Sequence, residues 1–448
     1  MDEYLKTLLE QIRCKKARPY IRLELQNHME DQIEANIHAG MNYECAEKEA
    51  VKDMGDPIET GISLDRIHKP QIAWKLLLMI TLISIAGILI HTMIARHING
   101  NDISISNGYI IHVMVGIVVM MALYFLDYTL LARFSKVIAV ILLVMCLLTL
   151  LFGSTVNGMR YFLFLGGRNI SVQAFMLFYV PIYGGVIYKY HGLAYKGLIK
   201  AVAWMVMPVI LVLRLPSIMT AGLMLISMLV MLTIAIQKDW FIVQKKKTIG
   251  GLWGIFMVMP VVAFLMAYWG NGLASYQKAR IQVFISNNGD ENYLTATLRS
   301  LLTTNKLIGS SGADVSGTLP EFNADYILTY LSSMYGMIAA ILLCCVLAVL
   351  IFAIFNMAMK QKNQLGMMMG CGCGIIFLVS FLINVLENLG ALPPTATFLP
   401  FLSAGGSYII VSYGLMGIVL SIYRYKNVYP QHVKVNIRSN RNNGRIID

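Results

Sequence analysis

Asn384-Val-Leu-Glu-Asn-Leu-Gly390-Ala-Leu392-Pro393-Pro-Thr-Ala-Thr-Phe-Leu399-Pro400-Phe401-Leu-Ser403-Ala-Gly405-Gly406-Ser407 separates two apolar runs near the end of the chain. It is polar and broken by prolines. A bilayer core offers no water to backbone N–H and C=O groups. Irregular chain at membrane depth therefore persists only where protein covers it or where it lines a wet cavity. This stretch predicts a cavity or mouth built between membrane helices.

The rest of the chain supplies those helices. Of 448 residues, 57% are hydrophobic and 13% charged, which places the chain among polytopic membrane proteins. Apolar runs fall at Ile72–Ala95, Tyr109–Leu126, Val137–Phe152, Val172–Tyr188, Leu198–Leu213, Ile218–Ile236, Ile249–Trp269, Tyr326–Phe355, Leu365–Val385 and Tyr408–Tyr423. An all-α fold of about ten transmembrane helices is expected, several near the ~20 residues that cross a bilayer. With ten spans, the basic loops carrying Arg133 and Lys136, Lys189 to Lys200, Lys238 to Lys247, and Lys360 and Lys362 share one side with the tail. The positive-inside rule makes that side cytoplasmic and places both termini there. The longest loop, Gly270–Asp325, then faces outward.

Three segments are expected: a cytoplasmic helical prefix (1–70), a membrane domain (71–426) and a basic tail (427–448). The prefix is too polar for a cleavable signal peptide. It holds 10 Lys/Arg against 14 Asp/Glu, a net of −4, whereas the remainder holds 26 against 10, a net of +16. A basic membrane body suits anionic lipid heads. The basic residues are spread over several loops, which argues against nucleic acid as a partner. The seven cysteines lie in the prefix or within spans, so no disulfide framework is expected. Cys371-Gly372-Cys373 reads as small residues for helix packing rather than a metal or redox pair.

Within the prefix, Tyr4, Leu5, Leu8, Leu9 and Ile12 follow helical spacing. Pro19 starts a second helix with Ile21, Leu25, Met29, Ile33 and Ile37 on one face, ended by Gly40. Asn42 caps a third, and Gly55 stops it ahead of Pro57. His28 beside Glu24 and Asp31 admits a metal, but a solvated helix face explains it better. The segment resembles the helical prefix found before membrane parts of some Firmicutes proteins, through Arg18-Pro19-Tyr20-Ile21 and Gly55-Asp56-Pro57. A regulatory or docking module is expected.

Acidic residues are scarce after the prefix. Asp290, Glu291, Asp314, Glu321 and Asp325 crowd into the long loop, and Glu387 ends the ninth span. A carboxylate at a membrane is costly, so its retention suggests use. Asp325 opens the run Tyr326–Phe355, where a helix N-cap and a functional carboxylate both fit.

The stretch from Asn384 to Ser407 resembles the signature before the last helix of the SEDS family (FtsW, RodA, SpoVE). Leu319-Pro320-Glu321-x3-Asp325-Tyr326-Ile327…Tyr335-Gly336-Met337-Ile338 is similar to that family's LPE-x3-D-[FY]-I…LG-x-[IV] pattern. Gly158-x-Arg160-Tyr161 resembles its G-x-R-R-W segment, and Arg280 matches a basic position ahead of the outer loop. The resemblance covers about residues 72–426. It implies a glycosyltransferase that polymerises peptidoglycan from lipid II on the outer face of the bacterial cytoplasmic membrane, releasing undecaprenyl diphosphate. It also implies a class B penicillin-binding protein as partner.

By the same resemblance Asp325 is the catalytic residue, as base or as a ligand positioning a divalent cation (Mg or Mn). Arg160 and Arg280 would hold diphosphate. Tyr161, Gln173, Glu321, Asn384, Pro400, Ser403, Gly405, Gly406 and Ser407 would complete the substrate site. The chemistry requires a base for the acceptor hydroxyl and cationic groups for the departing diphosphate. Arg168, Arg214, Lys278, Arg299 and Lys306 are further outer cations.

The chain departs from the pattern in two places. Q-P-S-E-x2-K becomes Gln173-Ala174-Phe175-Met176-x2-Tyr179, and P-D-x-G-T becomes Pro216-Ser217-Ile218-Met219-Thr220. These losses keep open a non-catalytic scaffold or regulator of wall synthesis. A transporter ranks last, because the chain shows no internal repeat. Glycine-rich phosphate loops, zinc spacings and the G-x-S-x-G elbow are absent.

Overall fold

The computed structural model describes residues 1–97, 103–156, 159–165, 168–215, 217–270, 293–313, 315–393, 395 and 397–431. Four helices form the prefix: α1 (Asp2–Glu10), α2 (Arg18–His38), α3 (Tyr43–Asp53) and α4 (Pro57–His68). Asn42 caps α3 by accepting from the Cys45 N–H, as its position predicts. The fourth helix was not expected. Asp56 caps it through the Glu59 N–H, and Pro57 sits at its start, where a missing N–H costs nothing. Tyr4, Leu5, Leu8, Ile12, Ile21, Met29 and Ile33 are buried. Ile37, placed on the same face by periodicity, is instead 42% exposed. It lies in the last turn of α2.

The membrane part contains α5 (Trp74–His97), α6 (Ile103–Phe125), short α7 (Tyr128–Arg133), α8 (Ser135–Phe152), α9 (Val172–Phe175), α10 (Tyr179–Tyr188), α11 (Tyr195–Arg214), α12 (Ile218–Gln237), α13 (Lys245–Trp253) and α14 (Met259–Trp269). Then come α15 (Tyr293–Thr304), α16 (Val315–Thr318), α17 (Ile327–Tyr335), α18 (Met337–Met359), α19 (Gln364–Asn388) and α20 (Gly406–Arg424). Among the described residues, nine helices are long and apolar enough to span a bilayer, and Val172–Tyr188 is a shorter apolar helix. Together they match the ten expected runs in number and place. The most enclosed are α12, α19 and α20. In α19, Cys371 and Cys373 are buried and Gly372 packs under Met231, as expected of small packing residues.

Two features were not expected. The first is a three-stranded antiparallel sheet, β1 (Ser154–Val156), β2 (Met159–Leu165) and β3 (Arg168–Ser171), with Ser154 opposite Phe162 and Phe162 opposite Ser171. The second corrects the single helix expected over Tyr326–Phe355. The chain breaks at Gly336, where φ is +100°. Residues 306–311 lie against the break. Lys306 and Leu307 carbonyls accept from the Met337 and Ile338 N–H groups, and Gly309 N–H donates to Tyr335 O at 3.1 Å. The orphaned N–H groups at the start of α18 are thereby satisfied by protein rather than water.

The prefix packs against one end of the bundle. Lys16 pairs with Asp127 at 2.7 Å, Gln71 N–H donates to Arg424 O at 2.9 Å, and Tyr20 meets Tyr429 edge-on. This is the end that carries the basic loops at Lys189, Lys362 and Lys426. The turn before α17 and the ribbon between α19 and α20 lie at the other end.

Candidate active site

Asp325 lies in a tight turn, Glu321–Tyr326, where α17 begins. Glu321 sits at φ +52°, and its carbonyl accepts from Ala324 N–H (2.9 Å) and Tyr326 N–H (3.3 Å). Tyr326, not Asp325, is the N-cap of α17, and no side chain caps it. The capping explanation for Asp325 is therefore excluded. Its half-buried carboxylate receives no hydrogen bond from the described residues. Burial pushes its pKa up to about 7, with Glu387 and Glu321 as nearby like charges adding to the rise.

The turn is held through its backbone by one face of α19. Asn384, Glu387 and Asn388 follow i, i+3, i+4 spacing, which aligns them on that face. The Asn384 amide donates to Asp325 O (3.0 Å) and Thr397 O (2.6 Å). The Asn388 amide donates to Asp325 O (2.9 Å), while its oxygen accepts from Thr329 N–H and hydroxyl. Glu387 is fully buried and accepts from the Tyr326 hydroxyl and from Thr395. From the ribbon, the Ser403 hydroxyl donates to Ala324 O (2.9 Å), and Ala404 N–H donates to Asn323 O (3.2 Å).

The ribbon is fixed in turn by the early spans. Tyr109 of α6 donates to Phe401 O (2.8 Å), and His91 of α5 bonds Leu402 O at 2.8 Å. These two rings stack 3.8 Å apart. Phe401 takes φ +67° and is buried between Phe377 and Tyr413. Gly406 is required by a close approach, since a Cβ there would lie 2.4 Å from His112 Nε2. The Ser407 hydroxyl accepts from Ser171 N–H at the end of β3 (3.3 Å), which joins the sheet to the ribbon.

A family model described as cell cycle protein, FtsW/RodA/SpoVE, matches residues 69–428. The chain belongs to this family. Among its relatives is the probable peptidoglycan glycosyltransferase FtsW of Enterococcus hirae, 39% identical over 107 residues, which are 24% of this chain and 27% of the relative. FtsW of Hydrogenovibrio crunogenus is 25% identical over 300 residues, 62% of this chain and 72% of the relative. Peptidoglycan glycosyltransferase MrdB of Escherichia coli K12 is 27% identical over 186 residues, 39% and 50% of the two chains. The chain thus spans less than half the length of some curated relatives and about three quarters of others. Two solved structures share the fold. A peptidoglycan synthase complex that coordinates polymerization and crosslinking superposes with TM-score 0.65 at 18% identity, covering 79% of this chain and 98% of that one. Thermus thermophilus Rod shape determining protein RodA gives 0.57 at 16% identity, covering 79% and 97%.

In this FtsW/RodA/SpoVE member, the structure gathers Asp325, Asn384 and Ser403 into one hydrogen-bonded unit, with Glu321 exposed beside it. Pro400 is buried in the ribbon, and Gly405, Gly406 and Ser407 open α20. Gln173 is buried and donates to Leu215 O (2.8 Å), on the α11–α12 side of the ribbon. Arg160 and Tyr161 lie in β2 and Arg168 in β3. Arg280 and Lys278 lie outside the described residues. Arg299 donates to Gly390 O from both Nε and a terminal nitrogen, so it braces the ribbon. Arg214 and Lys306 are exposed.

Sequence reasoning missed Asn388, Thr395, Thr397, His91 and Tyr109 as site-builders. The helical spacing of Asn388 with Asn384 was the one available signal. At the positions where the family pattern has Glu and Lys, Met176 and Tyr179 are sealed in the core, and the Tyr179 hydroxyl donates to Trp204 O. Among the described residues, no three His, Cys, Asp or Glu side chains gather to hold a metal. Both Glu387 oxygens already accept hydrogen bonds.

Proposed function

We propose that this chain is a peptidoglycan glycosyltransferase that joins lipid II units on the outer face of the cytoplasmic membrane, with Asp325 as general base. One observation carries the reading. A half-buried carboxylate, raised to about 7, is pinned through its own carbonyl by two asparagines of a buried helix face, at the end of the bundle opposite the basic loops. A base of that proton affinity is half unprotonated near neutrality and still accepts a proton well. The relatives named as peptidoglycan glycosyltransferases support the same reading.

In the proposed step, Asp325 takes the proton of a GlcNAc hydroxyl as its oxygen bonds to the anomeric carbon of the donor MurNAc. The bond from that carbon to the diphosphate oxygen breaks, and undecaprenyl diphosphate leaves with the electron pair. Cationic groups at the outer end, Arg160 and Arg280 among them, would hold the diphosphate. A magnesium or manganese ion, if bound there, would supply the same neutralisation. The basic loops support a cytoplasmic position for both termini by the positive-inside rule. A class B penicillin-binding protein is the expected partner.

Labelled lipid II and purified protein test this directly. Wild type should give glycan ladders, and Asp325→Asn should lower the rate by about 10²–10⁴-fold, the usual worth of a general base, while remaining folded. An active Asp325→Asn protein overturns the assignment. The sealed Met176 and Tyr179 favour a second reading, a scaffold that has lost part of the lipid II path. It predicts no ladder from folded wild type, with or without the partner.

A further inference from the structure

We infer that Glu387 is a positioning residue for glycosyl transfer, its carboxylate tying the Asp325–Tyr326 turn to the ribbon at Thr395. The inference rests on the reading of Asp325 as base. Glu387 stands one residue before the end of α19, a membrane-spanning helix, and is fully buried. A carboxylate there is costly unless its oxygens are well used. Both are used. Oε1 accepts from the Tyr326 hydroxyl (3.3 Å) and the Thr395 N–H (2.8 Å), and Oε2 accepts from the Thr395 hydroxyl (2.8 Å). All three donors are neutral, and no described Lys, Arg or His pairs with it.

The donors come from the two segments that flank the site. Tyr326 follows Asp325 directly. Thr395 lies two residues before Thr397, whose hydroxyl meets that of Thr395 at 2.9 Å and whose carbonyl takes the Asn384 amide. Asn384 and Asn388 grip Asp325 by its carbonyl, and Glu387, between them on the same face, grips the next residue. Without Glu387, the turn keeps its carbonyl anchors and its bonds from Ser403 and Ala404, but Tyr326 loses its tie to Thr395. The Tyr326 side of the turn is then unbraced, and the carboxylate of Asp325 can shift relative to the acceptor. A misplacement of about 1 Å at a reacting group costs roughly 10²-fold in rate.

The experiment measures initial rates of lipid II polymerisation against lipid II concentration for wild type, Glu387→Ala, Glu387→Gln and Thr395→Val, with Asp325→Asn as the inactive reference. Glutamine keeps the shape and can keep every contact if the Thr395 hydroxyl turns. The expected result is a kcat about 10²-fold lower in Glu387→Ala with KM changed less than about threefold. Glu387→Gln should recover to within about threefold of wild type, and Thr395→Val should fall roughly tenfold. Hydrogen exchange on the same proteins should show faster exchange in peptides covering 322–330 and 395–399 of Glu387→Ala, with the middle of α19 unchanged. If Glu387→Ala does not fold, Thr395→Val carries the test, because Thr395 is only half-buried and valine keeps its shape and its backbone bond to Glu387. Wild-type kcat in Glu387→Ala, or in Thr395→Val where it stands in, overturns the inference and leaves Asp325 as base. A Gln variant as slow as Ala also overturns it, since charge rather than position would then be at work. An inactive wild type overturns the Asp325 reading, and this role with it.

Discussion

At the scale of single residues, the site concentrates groups that a stable fold would avoid. Asp325 is held at about 7 rather than its ordinary 3.8, so folding disfavours its charged form. For a carboxylate whose folded pKa is raised, its contribution to stability is complete below the unfolded value. It declines as pH climbs from about 4 to about 7 and is constant above that. Asparagine has no such charge. The melting temperature of Asp325→Asn should therefore exceed that of wild type at pH 8, with the gap closing by pH 4. Thermal unfolding in a fixed detergent across that range checks it, and an equal gap at both ends would show that Asp325 is ionised freely in the fold. In the sequence the residue stood out as an acid before an apolar run, where an N-cap fitted as well as a functional carboxylate, and the family resemblance pointed to the latter. Its environment did not stand out. Asn388, Thr395 and Thr397 are ordinary polar residues, and only the folded contacts reveal that they converge on one turn.

At the scale of elements, the apolar periods placed the spans well and their interruptions poorly. Hydropathy registers how long an apolar run is, and the run from Tyr326 to Phe355 has no polar gap. Its break depends on one backbone angle at Gly336 and on carbonyls contributed by residues some thirty positions earlier, which no local pattern encodes. The β1–β3 sheet was hidden for a related reason: short strands between spans carry little periodicity. Gly336 can be tested alone. At φ +100°, a Cβ would be strained in any surroundings, and here it would also lie 2.6 Å from the Leu307 carbonyl oxygen. That neighbour is backbone and part of the hydrogen-bonded plug, so it cannot move aside cheaply. Gly336→Ala should destabilise the protein by about 2–3 kcal/mol, combining the backbone penalty with displacement of the 306–311 segment. Its melting temperature and its yield after membrane extraction should both fall. Ala placed at Gly222, inside α12 where a Cβ meets nothing within 4 Å, should lower neither.

At the scale of the whole molecule, the prefix is built into the bundle rather than hung from it. Charge counting separated residues 1–70 from a basic body but gave no contact between them. The structure supplies one in which each side completes the other. Asp127 caps α7, is 2% exposed, and accepts from the Thr129 N–H and hydroxyl and from the Tyr429 hydroxyl. Those donors are neutral. The cation comes from Lys16 of the prefix, 2.7 Å away, and the Asp127 carboxylate raises the proton affinity of that lysine against the cost of its burial. Removing one partner of such a pair leaves the other buried without compensation, at a cost of about 1–3 kcal/mol. Lys16→Met should therefore loosen the docked prefix, while the apolar contacts that run from the prefix into the bundle remain. When docking is fast relative to cleavage, a protease reports the undocked population. With protein in lipid nanodiscs, cleavage between residues 69 and 73 should be roughly tenfold faster in Lys16→Met than in wild type, the fold-change of about 1.4 kcal/mol. Asp127→Asn should match it, and the double variant should be no worse than either single one. Equal cleavage in all four proteins would mean that the ring contact of Tyr20 with Tyr429 and the Gln71–Arg424 bond hold the prefix without the ion pair.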